Sequence, residues 1–246
     1  MSKIDLYKAE LQNVADWQTY LMEYSCLPSP RANLELAYAV AGVSDRTKAA
    51  ELIAVDRSGS TDQSPESFVV MCGLMALGKY AGADPSVRPV LRKYASDLRW
   101  RIREGIAMSL QLWGDVDMNG VLQELSQWAA GNPYEQRAAV AAVCEPRLLK
   151  DPAIAAAALR LLDAVTESYA LNTATREDAY RVLTLGLSYG WSVAVAALPD
   201  VGKLLMEKWI ASPGEGVRRV MRENLTKKRL EKMDAAWVEQ MKTRTG

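Results

Sequence analysis

Asp97–Leu110, DLRWRIREGIAMSL, decides the fold, because its pattern recurs along nearly the whole chain. From Arg103, the residues three, four and seven positions on are Ile106, Ala107 and Leu110, which fall on one face of a helix. Equivalent anchors stand at Asn33, Phe68, Arg137, Arg176 and Arg218, at successive spacings of 35, 35, 34, 39 and 42 residues. The first triplet position is Leu36, Met71, Ile106, Val140, Ala179 and Met221, and the third is Val40, Met75, Leu110, Cys144, Leu183 and Leu225. Between them sits a small residue in the first four units (Ala37, Cys72, Ala107, Ala141), replaced by Tyr180 and Arg222 in the last two. A small residue there lets helices approach closely, and a polar one fits a terminal unit with no neighbour on one side. A repeat near this period is one supersecondary unit that buries its apolar face only by stacking on copies of itself.

Working outward, the helix starts are legible, because a capping residue followed by proline recurs at Ser29-Pro30, Ser64-Pro65, Asp84-Pro85, Asn132-Pro133, Asp151-Pro152 and Ser212-Pro213. The side-chain oxygen accepts from exposed backbone N–H groups, and proline in the first turn lacks a donor that would be orphaned anyway. Strand signals are nearly absent. The sequence therefore predicts an all-α, right-handed solenoid of about six antiparallel helix pairs in one domain, with units at about 4–43, 44–82, 83–115, 116–149, 150–198 and 199–246. The first helix is expected over 4–24 and its partner over 30–42. Asp56–Ser64, DRSGSTDQS, reads as a polar mobile loop, WSVAVAAL from Trp191 as an insertion, and MDAAWVEQMK as a terminal cap packed by Trp237.

Lys plus Arg and Asp plus Glu are 30 each, so the whole molecule has no electrostatic commitment to nucleic acid or anionic membrane, and such binding needs a local patch. There is no histidine, which removes the commonest general base and the commonest metal ligand and weighs against hydrolase or metal chemistry. No cofactor and no metal are expected. Cys26, Cys72 and Cys144 have neither zinc-finger nor paired-disulfide spacing and read as reduced, buried core residues of a cytoplasmic protein. No signal-peptide segment and no membrane span is read from the chain, and a monomer or weak dimer is expected.

D97-x-x-x-x-I102-R103 followed by A107-x-x-L110, and V217-R218-R219 leading to L225, resemble the HEAT repeat. That resemblance implies a ladder in which an inter-helix Asp bonds an Arg early in the second helix. Only Arg103 has an Asp six residues before it, since Arg137, Arg176 and Arg218 have Gly131, Ala170 and Ser212 there. VRRVMRENLTKKRL and SPRANLELAYAVA are also similar to the bacterial DNA-alkylation-repair repeat group, whose better-known members are alkylpurine DNA glycosylases with a basic concave surface. Carried over through LWGDVD and YGW, that resemblance points to Trp113 with Asp115 or Asp117, Arg147 and Trp191, although an Asp after Gly114 in a turn ordinarily caps the next helix.

The function read from these residues is a non-catalytic binding or scaffold protein that presents a concave surface of second helices to a macromolecule. The alternative is a DNA-binding or alkylbase-excising protein. Candidate contacts are the aligned arginines Arg103, Arg137, Arg176 and Arg218, which form either a structural ladder or a phosphate-binding stripe. Arg92, Lys93, Arg99 and Arg101 form a second positive region, and Arg218, Arg219, Arg222, Lys227, Lys228, Arg229 and Lys232 a third, which as a solvated helix end would complement a C-terminal dipole. Among seven tryptophans, Trp100 and Trp191 are candidates to project from the surface as anchors, the others filling the core.

Overall fold

The computed structural model describes residues 1–57, 59–171 and 177–245, and among these it is all-helical, with no strand. The chain forms two compact units, Met1–Asp117 and Met118–Gly246.

In the first unit the helices are α1 (Lys3–Leu11), α2 (Trp17–Glu23), α3 (Leu34–Val43), α4 (Arg46–Ile53), α5 (Pro65–Gly78), α6 (Arg88–Ala95) and the first part of α7 (Trp100–Ala129). The single helix expected over 4–24 is two, because Asp16 breaks it by accepting from the N–H of Thr19 and capping α2. Helix α5 is the centre: every residue from Ser67 to Gly78 is buried, as an all-round apolar helix requires, and it packs against α2, α3 and α4. The repeat triplets sit where the pattern puts them, with Leu36, Ala37, Val40, Met71, Cys72, Met75, Ile106, Ala107 and Leu110 all buried.

The second unit comprises the rest of α7, then α8 (Pro133–Val143), α9 (Pro152–Leu171), α10 (Asp178–Ala197), α11 (Pro199–Ile210), α12 (Glu215–Leu225), α13 (Lys228–Met233) and α14 (Ala235–Thr245). Here α10 is central, touching α8, α9, α11, α12 and α13. The WSVAVAAL segment is no separate insertion; it is the buried last half of α10. The closing helix α14 is held as expected, with Trp237 buried and its indole N–H given to Glu207 at 2.8 Å.

Four of the six cap-proline pairs start helical turns at the proline, and Asn132 completes a reciprocal capping box with Glu135. The other two do not. Asn33 caps α3 in place of Ser29, its carbonyl oxygen accepting from Leu36 and its amide donating to Tyr7 and Tyr24, so all its polar capacity is used in a buried position. Gly214 rather than Ser212 precedes α12.

Cys72 and Cys144 are buried, and burial pushes both thiols up. The expectation fails for Cys26, which is exposed in the turn between α2 and α3 at φ +62°. Among the described residues no helix is long and apolar enough to cross a membrane.

Candidate functional site

The aligned arginines are used inside the fold. Arg103, near the start of α7 and 5 % exposed, donates from Nη1 to the carbonyls of Asp97 at 2.6 Å and Leu98 at 2.8 Å. Arg218, near the start of α12, donates from Nη1 to the carbonyls of Ser212 at 3.0 Å and Pro213 at 2.9 Å. Both arginines therefore take the carbonyls six and five residues back, closing the turn that leads into their helix. The shared partner is backbone, which explains why the arginine recurs while the aspartate six residues before it does not. The methylene stem of Arg137 lies over Gly186 of α10. Arg176 lies outside the described residues.

The Asp97 carboxylate goes to a different arginine. Arg99 donates from Nε and Nη2 to Asp97 at 2.9 and 2.7 Å and from Nη1 and Nη2 to Asp56 at 2.8 and 3.2 Å, and Tyr94 donates to Asp56 at 3.1 Å. Burial raises the Asp97 carboxyl, but the Arg99 hydrogen bonds and charge outweigh it and hold the group below its usual range. Burial and the Asp56 carboxylate push the Tyr94 hydroxyl up to about 12. This cluster is internally satisfied, so the positive region expected at Arg99 is neutralised.

Arg101, 2 % exposed, donates to the carbonyls of Asp62 and of Ser29, and its backbone N–H donates to the Asp62 carboxylate at 2.9 Å. One guanidinium thus ties two loops to α7. The Asp56–Ser64 stretch, read as a mobile loop, is anchored through Asp56 and Asp62. Sequence reading missed both acids because their partners lie about 40 residues away, beyond any local motif. The outer face of Arg101 stacks on Trp100, 4.5 Å from the ring centroid.

That stacking leaves Trp100 44 % exposed at the rim of a groove of about 520 Å³. Leu34 and Glu35 of α3, Met71 of α5 and Glu104 and Met108 of α7 line it, with Arg31 at the edge. The lining comes from α3, α5 and α7, and combines apolar side chains with charges of both signs.

In the second unit the cations divide into two groups. Arg218 and Arg222 both pair with Glu215, Arg222 also donates to the Thr245 carbonyl at 2.8 Å, and Arg244 faces Glu207 at 3.5 Å, so the groove of about 700 Å³ they line is largely compensated. Arg219 stands exposed on α12 outside that groove. Lys227, Lys228, Arg229 and Lys232 converge with Pro146 and Thr226 on a separate groove of about 670 Å³ in which no lining residue is acidic. Lys228 and Arg229 lie in the first turn of α13, where the helix dipole opposes a cation, so the solvated C-terminal end expected here accounts for Lys227 alone.

The residues that the resemblance points to through LWGDVD and YGW serve other ends. Trp191 is fully buried and donates its indole N–H to Thr166 at 3.0 Å, so it projects to no surface. Trp113 is buried beneath Arg88. Arg147 pairs with Glu145 at 3.2 Å. The turn expected at Gly114 is absent, because α7 runs through Gly114 and Asp115 and breaks only at Asp117, where φ is −147° and ψ is 83°.

No protein-family model, curated protein or solved structure matches this chain. The functional reading rests on the geometry of its own surface.

Proposed function

We propose that this chain is a non-catalytic binding protein, a HEAT-like right-handed solenoid of about six helix pairs, whose groove over α3, α5 and α7 takes an apolar segment of a protein partner. One observation carries the reading: α3, α5 and α7 each bring an apolar residue, Leu34, Met71 and Met108, to one groove, with an exposed tryptophan beside them held by stacking on Arg101. An apolar centre, a polar rim and a rigid aromatic anchor are what a protein segment needs. Trp100 costs little entropy to use, since Arg101 beneath it is fixed by two carbonyls. A polyanion finds little there, because Arg101 is spent on backbone and Glu35 and Glu104 line the walls.

The alkylbase-excising reading has weaker support. A base needs an accessible aromatic face to stack on, and Trp191 offers none.

Panning a random peptide library on the full chain tests the groove. Enriched peptides should carry a large apolar residue and lose at least about tenfold in affinity to Trp100→Ala and Leu34→Asp, a loss of about 1.4 kcal/mol or more, while Lys228→Glu leaves them unchanged. Absence of enrichment, or peptides indifferent to both groove variants, would overturn the reading.

A further inference from the structure

The groove between Pro146 and α13 has a composition the protein-binding reading does not use. Lys227, Lys228, Arg229 and Lys232 line it together, with Thr226 and no carboxylate. Lys227 has only a loose contact with Glu223, at 3.8 Å, and among the described residues Lys228 and Lys232 make no ion pair. Arg229 is held differently: its guanidinium stacks on Tyr189 at 4.6 Å from the ring centroid and donates to the Tyr189 hydroxyl. That leaves an oriented planar donor beside three flexible ammonium groups, a combination suited to several phosphate oxygens at once.

Like charges gathered around one concavity repel one another, and two of them sit in the first turn of a helix, where the dipole adds to the cost. Several cations elsewhere in this unit are compensated: Arg218 and Arg222 by Glu215, Lys208 by Asp163, Lys203 by Asp234. An anion bound among the groove side chains would relieve their mutual repulsion.

We infer that this groove is a binding site for a compact polyphosphate anion, one carrying two or more phosphate groups in series. Extent favours this over a nucleic-acid backbone. The lining gathers four cations in one place, whereas duplex binding draws on roughly 6–10 phosphate contacts along a continuous track, and among the neighbouring cations Arg147 is paired with Glu145 and Arg218 and Arg222 with Glu215. The site is independent of the Trp100 groove, which lies in the other unit.

Titration of the full chain with inorganic tripolyphosphate, followed by calorimetry at low ionic strength, tests this. Tripolyphosphate should bind at least tenfold more tightly than monophosphate and weaken on adding salt. The double variant Lys228→Glu/Lys232→Glu should lose at least tenfold in affinity, and Arg229→Lys should lose severalfold although it keeps the charge. Arg160→Glu, an exposed charge reversal on α9 outside the groove, should stay within twofold of the parent. All of these variants are at the surface, and a circular-dichroism melt of each verifies folding. No binding at millimolar tripolyphosphate, an equal loss in Arg160→Glu, or a duplex oligonucleotide that binds more tightly and depends on the same lysines would each overturn the inference; the last outcome would make the surface a nucleic-acid interface.

Discussion

Arg103 and Arg218 make the same pair of carbonyl bonds from very different environments, and this makes them a controlled comparison. Arg103 is 5 % exposed and Arg218 substantially more so. Arg103 is the more deeply buried donor, so Arg103→Met should cost about 1–3 kcal/mol in urea unfolding, whereas Arg218→Met, at a side chain that solvent reaches more easily, should cost less than about 1 kcal/mol. Equal losses would mean that burial does not set the value of the bond. Asp97 gives a second test at this scale. Its folded carboxyl keeps its charge to lower pH than it does in the unfolded chain, where the value is about 3.9. Its contribution is therefore complete above about pH 4 and drains away as the pH falls further. Asp97→Asn should flatten the acid limb of urea midpoint against pH below about pH 4 relative to the parent, and an unchanged limb would remove Asp97 from the acid response.

At the scale of elements, close approach decides what each glycine is worth. A Cβ at Gly78, the last residue of α5, would sit 2.3 Å from Ser109 Oγ and 2.4 Å from the Ser109 carbonyl oxygen in α7. Neither helix can yield locally, so Gly78→Ala should destabilise by about 1–3 kcal/mol or more. At Gly186 in α10 the nearest atom would be Cγ of Arg137 at 3.2 Å, part of a long side chain that can give way. Gly186→Ala should instead stabilise by up to about 1 kcal/mol through helix propensity, and thermal melts of the two variants, moving in opposite directions, check both. The elements themselves were readable because the triplets have helical spacing: Leu36, Met71 and Ile106 are buried as that spacing demands. The two misread helix starts, at Ser29 and Ser212, were unreadable for a tertiary reason. Asn33 is the better cap of α3 only because Tyr7 and Tyr24 come from elsewhere to satisfy its amide. The candidate sites follow the same division. Local sequence marked the basic run 227–229, but showed neither that Glu215 neutralises Arg218 and Arg222 nor that the Ser29 and Asp62 carbonyls consume Arg101. Trp191 misled because an aromatic residue near a helical junction looks the same in sequence whether Thr166 awaits its indole inside the core or solvent does.

At the scale of the whole molecule, the chain forms two compact units, and the two helical segments of α7, one in each, meet at Asp117, where the backbone leaves helical geometry. At φ −147° and ψ 83° that residue does not continue the i to i−4 ladder. On either side the helix is anchored by fully buried side chains, Ile106 and Leu110 before the break and Leu125 and Trp128 after it. Each segment therefore owes its order to its own unit's core and little to helical continuity, since tertiary burial dominates the stability of helices in a folded chain. Native-state amide hydrogen exchange should consequently resolve α7 into two protected stretches, near 104–113 and 121–129, separated by a minimum of protection at about 118–119, just after the break. The depth of that minimum is informative because solvent exposure alone does not produce it: backbone amides in a continuous helix stay bonded even on its outer face. Replacing Asp117 with alanine tests the cause. If a residue with no side-chain preference for extended backbone restores helical geometry, protection at about 118–119 should rise toward that of the flanking stretches, with the cores of both units unchanged. A parent profile that is uniformly protected from 104 to 129 would show that the break does not interrupt the helix in solution, and would make α7 a single rigid rod.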